Sequence, residues 1–198
     1  MGSNRGAGVK RAIFLDRDGV LNWNVFNPLT GEYESPLTPE QFVLLPGVIS
    51  ALRLLRASGY WLFLVSNQPN YAKGKTSMDM LNAIHHKLKT ILQNEEISFE
   101  AFYYCFHHPD FTGECLCRKP SPYFLFKARD TFAVSLADSW MIGDRATDIA
   151  CGRAAGVRTI RIYDSSVPHV ETGDVATDLW TAAQFILASS TAIATTRP

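Results

Sequence analysis

Four short segments of the 198-residue chain hold residues whose types and spacing suit the handling of a phosphoryl group. In the first, Ile13-Phe14-Leu15 runs into Asp16-Arg17-Asp18-Gly19, so an apolar stretch ends in two carboxylates two positions apart. The period of an extended chain projects Asp16 and Asp18 to the same side, and Gly19 lets the backbone turn closely around a ligand. Such a pair suits one nucleophile and one proton carrier, although a strand followed by an Asp-Gly turn accounts for the same letters. In the second, Leu64-Val65 leads into Ser66-Asn67-Gln68, where a hydroxyl and a backbone N–H can hold a phosphoryl oxygen. The third is Arg118-Lys119-Pro120: Lys119 offers charge to a transferring phosphoryl group, and Arg118 offers a planar fork to a second phosphate or to hydroxyls. The fourth, Trp140-Met141-Ile142-Gly143-Asp144-Arg145-Ala146-Thr147-Asp148, delivers acidic residues to the start of a helix. Asp144 can complete a hard-oxygen magnesium site with Asp16, and Asp148, one turn on, can orient a cation. Helix capping and dipole compensation account for the same two residues without chemistry.

A second chemistry is suggested by Cys105-Phe106-His107-His108-Pro109 and Cys115-Leu116-Cys117. Cys105 and His107 alternate along one extended segment, as do Cys115 and Cys117 along another, so both pairs can turn inward and close a tetrahedral zinc site. Four protein ligands would leave no open position, so the zinc would be structural and would hold the loop that carries Arg118 and Lys119. His108 is an alternative ligand by proximity, and free thiols in a mobile loop are the alternative to zinc. Cys151, on a helical segment, reads as a small buried residue.

These groups need a scaffold, and the sequence alternates short β-branched and aromatic runs with segments of helical period, the pattern of βα units around a parallel sheet. Strands are expected over Ala12 to Leu15, Tyr60 to Val65, Ala101 to Phe106, Ser139 to Ile142 and Val157 to Ile162. Helices are expected from Pro46/Gly47 to Ala57, Ser77 to Gln93, Pro122 to Thr131, Ala146 to Ala155 and about Ala176 to Leu187, with the final Ser/Thr/Ala-rich residues frayed. Two segments break the rhythm, Asn22 to Leu45 and His107 to Ser121, and each follows the C-terminal end of a strand, where open parallel sheets bind ligands. Nineteen Lys and Arg balance nineteen Asp and Glu, which opposes a nucleic-acid grip and favours a small-molecule partner. No apolar run approaches the ~20 residues of a membrane span, and the basic, Gly-rich start, Met1 to Lys10, lacks the apolar stretch of a secretory signal. A cytoplasmic protein with a loose tail over residues 1–10 is the expectation. Clustered cysteines in that setting point to metal and not to disulfides.

In order, Asp-x-Asp, Ser66, Lys119 and Gly-Asp-x-x-x-Asp resemble the motifs of the haloacid dehalogenase superfamily of phosphotransferases, over roughly Arg11 to Ile162. The Cys-x-His and Cys-x-Cys-Arg-Lys-Pro run narrows the resemblance to the subgroup of heptose 1,7-bisphosphate and histidinol-phosphate phosphatases. Asp16-Arg17-Asp18-Gly19 with Leu21-Asn22 and the Arg118-Lys119 pair is nearer the heptose pattern. The resemblance implies a Rossmann-like parallel sheet with helices on both faces, one domain over 1–198, no large cap domain and a zinc loop. It implies Asp16 as nucleophile and Asp18 as general acid, then base. Mg²⁺ would be held by the Asp16 carboxylate, the Asp18 carbonyl and Asp144, and Zn²⁺ by Cys105, His107, Cys115 and Cys117. Ser66, Asn67, Lys119, Arg118 and Arg145, the last where the subgroup commonly has Lys, would bind phosphate and substrate. The substrate implied is a phosphorylated sugar, a heptose bisphosphate or an analogue, with histidinol phosphate as the alternative and a monomer as the working state. The chain departs from the subgroup at Pro69-Asn70-Tyr71-Ala72-Lys73-Gly74, at Pro122-Tyr123-Phe124 and in the longer connection from Asn22 to Leu45, all of which bear on substrate choice. A reading of another class, a non-catalytic protein with the zinc loop as an interaction module, is opposed by the presence of both Asp16 and Asp18, since binding alone needs no second carboxylate placed for proton transfer.

Overall fold

Strand β1, Arg11–Leu15, lies at the centre of the fold because every second side chain has an apolar partner on each face. Ile13 and Leu15 join one buried cluster, whereas Ala12 and Phe14 join the other. The computed structural model describes residues 9–163 and 173–195. Strand β4, Tyr60–Asn67, pairs with β1 on one side and carries β5, Ala101–Cys105, beyond it. On the other side β1 pairs with β6, Trp140–Gly143, followed by β7, Arg158–Ile162, and β8, Asp174–Ala176. The order is β5-β4-β1-β6-β7-β8 with all pairings parallel.

Helices cover both faces. The first cluster gathers α1, Val48–Ala57, through Val48, Leu52 and Leu55, and α2, Met78–Asn94, through Leu81, Ile84 and Leu88. The last helix, α6, Leu179–Thr195, adds Ala182, Ala183 and Ile186 to it. The opposite face holds α4, Tyr123–Phe132, with Phe124, Leu125 and Ala128, and α5, Ala146–Ala155, with Cys151 and Ala155. Each fully buried leucine or isoleucine of these clusters stabilises the fold by about 1.5–3 kcal/mol. Ser77 starts α2 by accepting a hydrogen bond from the Met80 N–H, 3.2 Å away. Gly156 ends α5 in the left-handed conformation. Cys151 is buried as expected, its thiol donating to the Ser121 carbonyl at 3.2 Å.

The expected strands and helices are present within one to three residues at most ends, and the departures have local causes. The connection from Asn22 to Leu45 contains an antiparallel hairpin, β2 (Val25–Asn27) and β3 (Glu32–Glu34), which pairs Phe26 with Tyr33 across the strands. The tip closes through Gly31 N–H to Asn27 C=O at 2.9 Å. One helical turn, α3 (Pro109–Thr112), opens the segment from His107 to Ser121. β4 runs through Ser66 to Asn67, so these two residues sit on the strand end and not beyond it. Lys10 is not loose: it bridges Val134, and its ammonium donates to the Phe132 carbonyl at 3.0 Å and lies over Trp61. Val9 is exposed, and residues 1–8 of the expected tail are outside the described residues. α6 continues to Thr195 where a frayed end was expected, because Ser and Ala keep the helical backbone going past Leu187. Among the described residues the hairpin is the largest feature inserted between β1 and α1, so there is no large cap. Among the described residues no helix is long and apolar enough to cross a membrane.

Candidate active site

The strand order reverses at β1, with β4 on one side and β6 on the other, and the motifs that end these three strands meet at their C-terminal ends, where Lys119 joins them. The Asp16 N–H donates to the Ile142 carbonyl at 3.0 Å, extending the β1–β6 ladder by one residue and fixing the Asp16 backbone. Oδ1 of Asp16 accepts from the Arg17 N–H at 2.7 Å and faces the Lys119 ammonium at 3.0 Å. That ammonium also meets Oδ1 of Asp148 at 2.7 Å and donates to the Val65 carbonyl at 2.7 Å, so three groups use its three protons. Asp148 serves both roles considered for it, since its other oxygen accepts from the Arg145 N–H at 3.0 Å and caps α5. Gly143 is required here: a Cβ at that position would lie 2.1 Å from the Cβ of Asp148.

Oxygens of Asp16, Asp144 and Asp148 all lie within 4.8 Å of one another. Burial, and then the charges of Asp16 and Asp148, push Asp144 up to about 7. Burial raises Asp16 to about 6 against the pull of Lys119. Burial alone would lower Lys119, but Asp16 and Asp148 outweigh it and hold the lysine protonated. Oδ1 of Asp144 is buried without a protein donor among the described residues. Three carboxylates beside one ammonium are short of positive charge, and a buried carboxylate oxygen without a donor in such a cluster is the chemistry of a site for a hard divalent cation. The residues therefore fit magnesium.

Asp18 lies apart from this cluster, in a cage of donors. Arg17, itself 1% exposed, reaches Oδ1 through Nε at 3.0 Å and through Nη2 at 2.9 Å. Asn22 donates to the same oxygen at 2.9 Å, and Gln68 donates to Oδ2 at 2.7 Å. The Ser35 hydroxyl, just after the hairpin, also favours the charged form of this carboxylate. Burial pushes Asp18 up, but Arg17 and these donors outweigh it and hold it below the usual carboxylate range. Arg17, Asn22 and Gln68 stand in the motifs read from sequence, but their role around Asp18, like that of Ser35, was not legible there, because nothing in their spacing announces that they face one carboxylate from three elements.

The other expected phosphate-binding residues divide in use. Ser66 is buried at the end of β4, and its hydroxyl oxygen accepts from Gln68 at 3.0 Å. Asn67 is exchanged with the backbone of Lys119, donating to its carbonyl and accepting from its N–H, both at 3.1 Å. Its side chain thus anchors the lysine. Arg118 donates to the His107 carbonyl at 3.1 Å and still lines the cleft, as does Arg145. The cleft encloses about 680 Å³, with the hairpin residues Glu32 to Ser35 forming one wall and Lys73, Lys75, Arg118 and Arg145 elsewhere around it. Lys75 ties that wall to the loop after β4 through Glu34, at 2.7 and 2.9 Å.

Behind Arg118 the four expected zinc ligands converge. Cys105 Sγ to Cys115 Sγ and Cys117 Sγ to Cys115 Sγ are both 3.6 Å, and His107 Nδ1 lies 3.7 Å from Cys105 and 3.5 Å from Cys117. Zn–S and Zn–N bonds of usual length at tetrahedral angles give edges of about 3.8 Å between sulfurs and about 3.6 Å between sulfur and nitrogen. The observed edges match that cage and are far too long for disulfides. His108 is outside it, accepting instead from the Asp110 N–H at the start of α3.

Comparison with known proteins agrees with this geometry. Residues 116–181 match the HAD-hydrolase-like family model. A D-glycero-β-D-manno-heptose-1,7-bisphosphate 7-phosphatase of Vibrio cholerae is 34% identical over 170 residues, covering 83% of this chain and 87% of the relative. The protein of that name from Escherichia coli K12 is 33% identical over 172 residues, covering 84% and 86%. Among solved structures, a D,D-heptose 1,7-bisphosphate phosphatase from B. bronchiseptica, complexed with magnesium and phosphate, superposes with a TM-score of 0.75 at 28% identity. That match covers 90% of this chain and 99% of the other. With a parallel sheet whose strand ends gather these acids and this lysine, and relatives of this identity along most of its length, the chain belongs to the haloacid-dehalogenase-like family of phosphatases.

Proposed function

We propose that the protein hydrolyses a phosphomonoester of a sugar, a heptose bisphosphate or a close analogue, through a phosphoryl group carried on Asp16. The observation that carries this reading is the convergence of Asp16, Lys119 and Asp148 at the floor of a polar cleft, with Asp144 close beside the two acids. Asp16 is pinned through Oδ1 by Lys119 and by the Arg17 N–H, which leaves Oδ2 to attack phosphorus in line with the departing oxygen. Lys119 keeps a positive charge 3.0 Å from the nucleophile, offsetting the repulsion between a carboxylate and a phosphate dianion. Magnesium, held by Asp16, Asp144 and the Asp18 carbonyl, would supply charge screening and fix the phosphoryl group for displacement. In the substrate complex, where the phosphoryl dianion beside it raises its proton affinity, Asp18 would carry a proton and give it to the sugar oxygen as the Asp16–phosphoryl bond forms and the ester bond breaks. It then takes one from the water that releases phosphate. Ser66 and the cleft cations Arg118 and Arg145 hold the phosphoryl oxygens and the rest of the substrate. Zinc, bound by Cys105, His107, Cys115 and Cys117, holds the segment that carries Arg118 and Lys119.

The substrate class rests on the relatives, which are named for a heptose bisphosphate. It also rests on the size and polarity of the cleft, whose rim mixes cations for phosphate with Glu32, Glu34 and Ser35 for hydroxyls. The test is phosphate release with magnesium present across sugar phosphates, sugar bisphosphates and histidinol phosphate, using the wild type and Asp16→Asn. A heptose bisphosphate or similar sugar ester should be turned over fastest, and Asp16→Asn should be inactive on all. A preference for histidinol phosphate would overturn the substrate, and near-native release by Asp16→Asn would overturn the mechanism.

A further inference from the structure

We propose that Gln68 is a positioning residue for the leaving-group step, its side-chain amide fixing the Asp18 carboxylate from which the departing oxygen takes its proton. The inference rests on the reading of Asp18 as proton carrier and adds the group that aims it. Gln68 is 1% exposed and has every polar atom of its side chain engaged. Its Oε1 accepts from Arg17 Nη2 at 2.9 Å, and its Nε2 donates to Asp18 Oδ2 at 2.7 Å and to Ser66 Oγ at 3.0 Å. Arg17 can only donate, so the amide has one permitted orientation: its oxygen faces the guanidinium and its two N–H groups face the carboxylate and the hydroxyl.

The division of labour within the cage follows from counting donors. Oδ1 of Asp18 meets Arg17 Nε and Nη2 and Asn22 Nδ2 at 3.0, 2.9 and 2.9 Å. Oδ2 meets Gln68 at 2.7 Å, and Arg17 only at 3.2 Å. Oδ1 meets three donors and Oδ2 two, one of them long, so proton exchange falls to the less crowded Oδ2, the oxygen whose direction Gln68 sets. Arg17 and Asn22 come from the same turn as Asp18, whereas Gln68 comes from the end of β4, beside Ser66. The amide therefore ties the proton carrier to the strand that binds the phosphoryl oxygens, so both are registered against one substrate.

A residue that merely supports the fold would, when changed, depress all substrates alike. A residue that aims the acid should matter in proportion to the leaving group's need for a proton. The experiment replaces Gln68 with Met, close in length but unable to donate, and measures kcat and KM on two esters with magnesium present. One is the alkyl phosphate turned over fastest in the substrate panel, and the other is 2,4-dinitrophenyl phosphate, whose leaving group departs without protonation. The expected result is a fall in kcat of about 10–100-fold on the alkyl ester, a part of the usual general-acid contribution, with less than about threefold on the aryl ester. KM should change little on either. Asp18→Asn is measured in parallel and should show the same discrimination more strongly. Discrimination by Asp18→Asn but equal losses, or none, with Gln68→Met would overturn the role of Gln68 alone. Equal losses on both esters with Asp18→Asn would overturn the reading of Asp18, and this inference with it. Should Gln68→Met fail to fold, Gln68→Asn keeps an amide but leaves it one methylene short of Asp18, and the same discrimination is expected of it.

Discussion

Gly19→Ala separates the geometry of the metal cluster from the stability of the fold. Gly19 has φ +78°, and a Cβ there would lie 2.3 Å from Oδ2, 2.7 Å from Cγ and 3.1 Å from Cβ of Asp144. Because the crowding extends to the Asp144 Cβ, rotating the carboxylate does not relieve it, and the whole side chain must withdraw. Carbon–oxygen contact distances demand a retreat of roughly 1 Å, and misplacements of that size cost on the order of 10²-fold in rate. The left-handed backbone adds about 1–2 kcal/mol of strain, a fall in Tm of about 2–8 °C for a chain of this length. Gly156→Ala is the matched control, with φ +75° and nothing within 4 Å of the added carbon. Phosphate release under magnesium titration and thermal melts should show similar Tm losses for both variants. Only Gly19→Ala should lose about two orders of magnitude in kcat/KM and need more magnesium for half-maximal rate. Activity above half of wild type in Gly19→Ala, or equal activity losses in both, would refute the assignment of Asp144 to the metal.

Lys119→Met leaves Asp16 and Asp148 buried without their shared cation, which costs about 3 kcal/mol or more and lowers Tm by at least about 6–12 °C. Loss of activity with an unchanged melt would show that the lysine does not organise the acids. Zinc should be retained at one per chain through dialysis. Cys117→Ser should reduce it and lower Tm, whereas His108→Ala should not, as elemental analysis and melting would reveal. Without magnesium, the raised Asp16 and Asp144 make the folded state bind protons that the unfolded state releases. Their contribution is therefore largest in acid and is lost as pH rises through about 6 and 7. Magnesium-free protein should melt several degrees lower at pH 8 than at pH 5, and saturating magnesium should flatten that dependence. A flat magnesium-free profile would count against the cluster.

The sequence announced the sheet because its strands are fully buried: Ile13-Phe14-Leu15 and Leu62-Phe63-Leu64 have no polar face, which few structures other than a parallel sheet's centre can use. It announced Asp16, Lys119 and Asp144 because each ends such a strand or precedes a helix. The hairpin was missed because Val25-Phe26-Asn27 and Glu32-Tyr33-Glu34 are only three residues long and exposed, so its order comes from the Phe26–Tyr33 pair and the Glu34–Lys75 tie and not from a buried face. Asn67 lines the cleft, but its exchange with Lys119 could not be read from sequence, since it depends on a residue 52 positions away. The cage around Asp18 has the same origin. An arginine beside two aspartates reads as a solvated charge until the fold buries it against Phe42 and Gln68.

Net charge at neutral pH is zero, so whatever draws a phosphate dianion must act inside the cleft. There the balance is unfavourable: Asp16, Asp18, Glu32, Glu34, Glu114 and Asp148 line it against Lys73, Lys75, Arg118, Lys119 and Arg145. Lys75 is committed to Glu34, and Lys119 to Asp16 and Asp148. Arg118, Arg145 and Lys73 remain at the rim, while the floor where phosphorus must sit is anionic. Charges a few ångströms apart in such a site interact by several kcal/mol even at an effective dielectric of about 20. Binding of phosphate at the floor should then require the divalent cation and not merely follow it, and by reciprocity phosphate should tighten magnesium by the same factor. Isothermal titration of orthophosphate into the wild type and into Asp16→Asn, each with and without magnesium, would test this. Removing one floor carboxylate should also weaken the coupling relative to wild type. Phosphate affinity is expected to rise at least about tenfold with magnesium in the wild type, a coupling of about 1.4 kcal/mol. Phosphate binding equally well without magnesium would mean that the rim cations hold it, and that the acidic floor is not where the phosphoryl group rests.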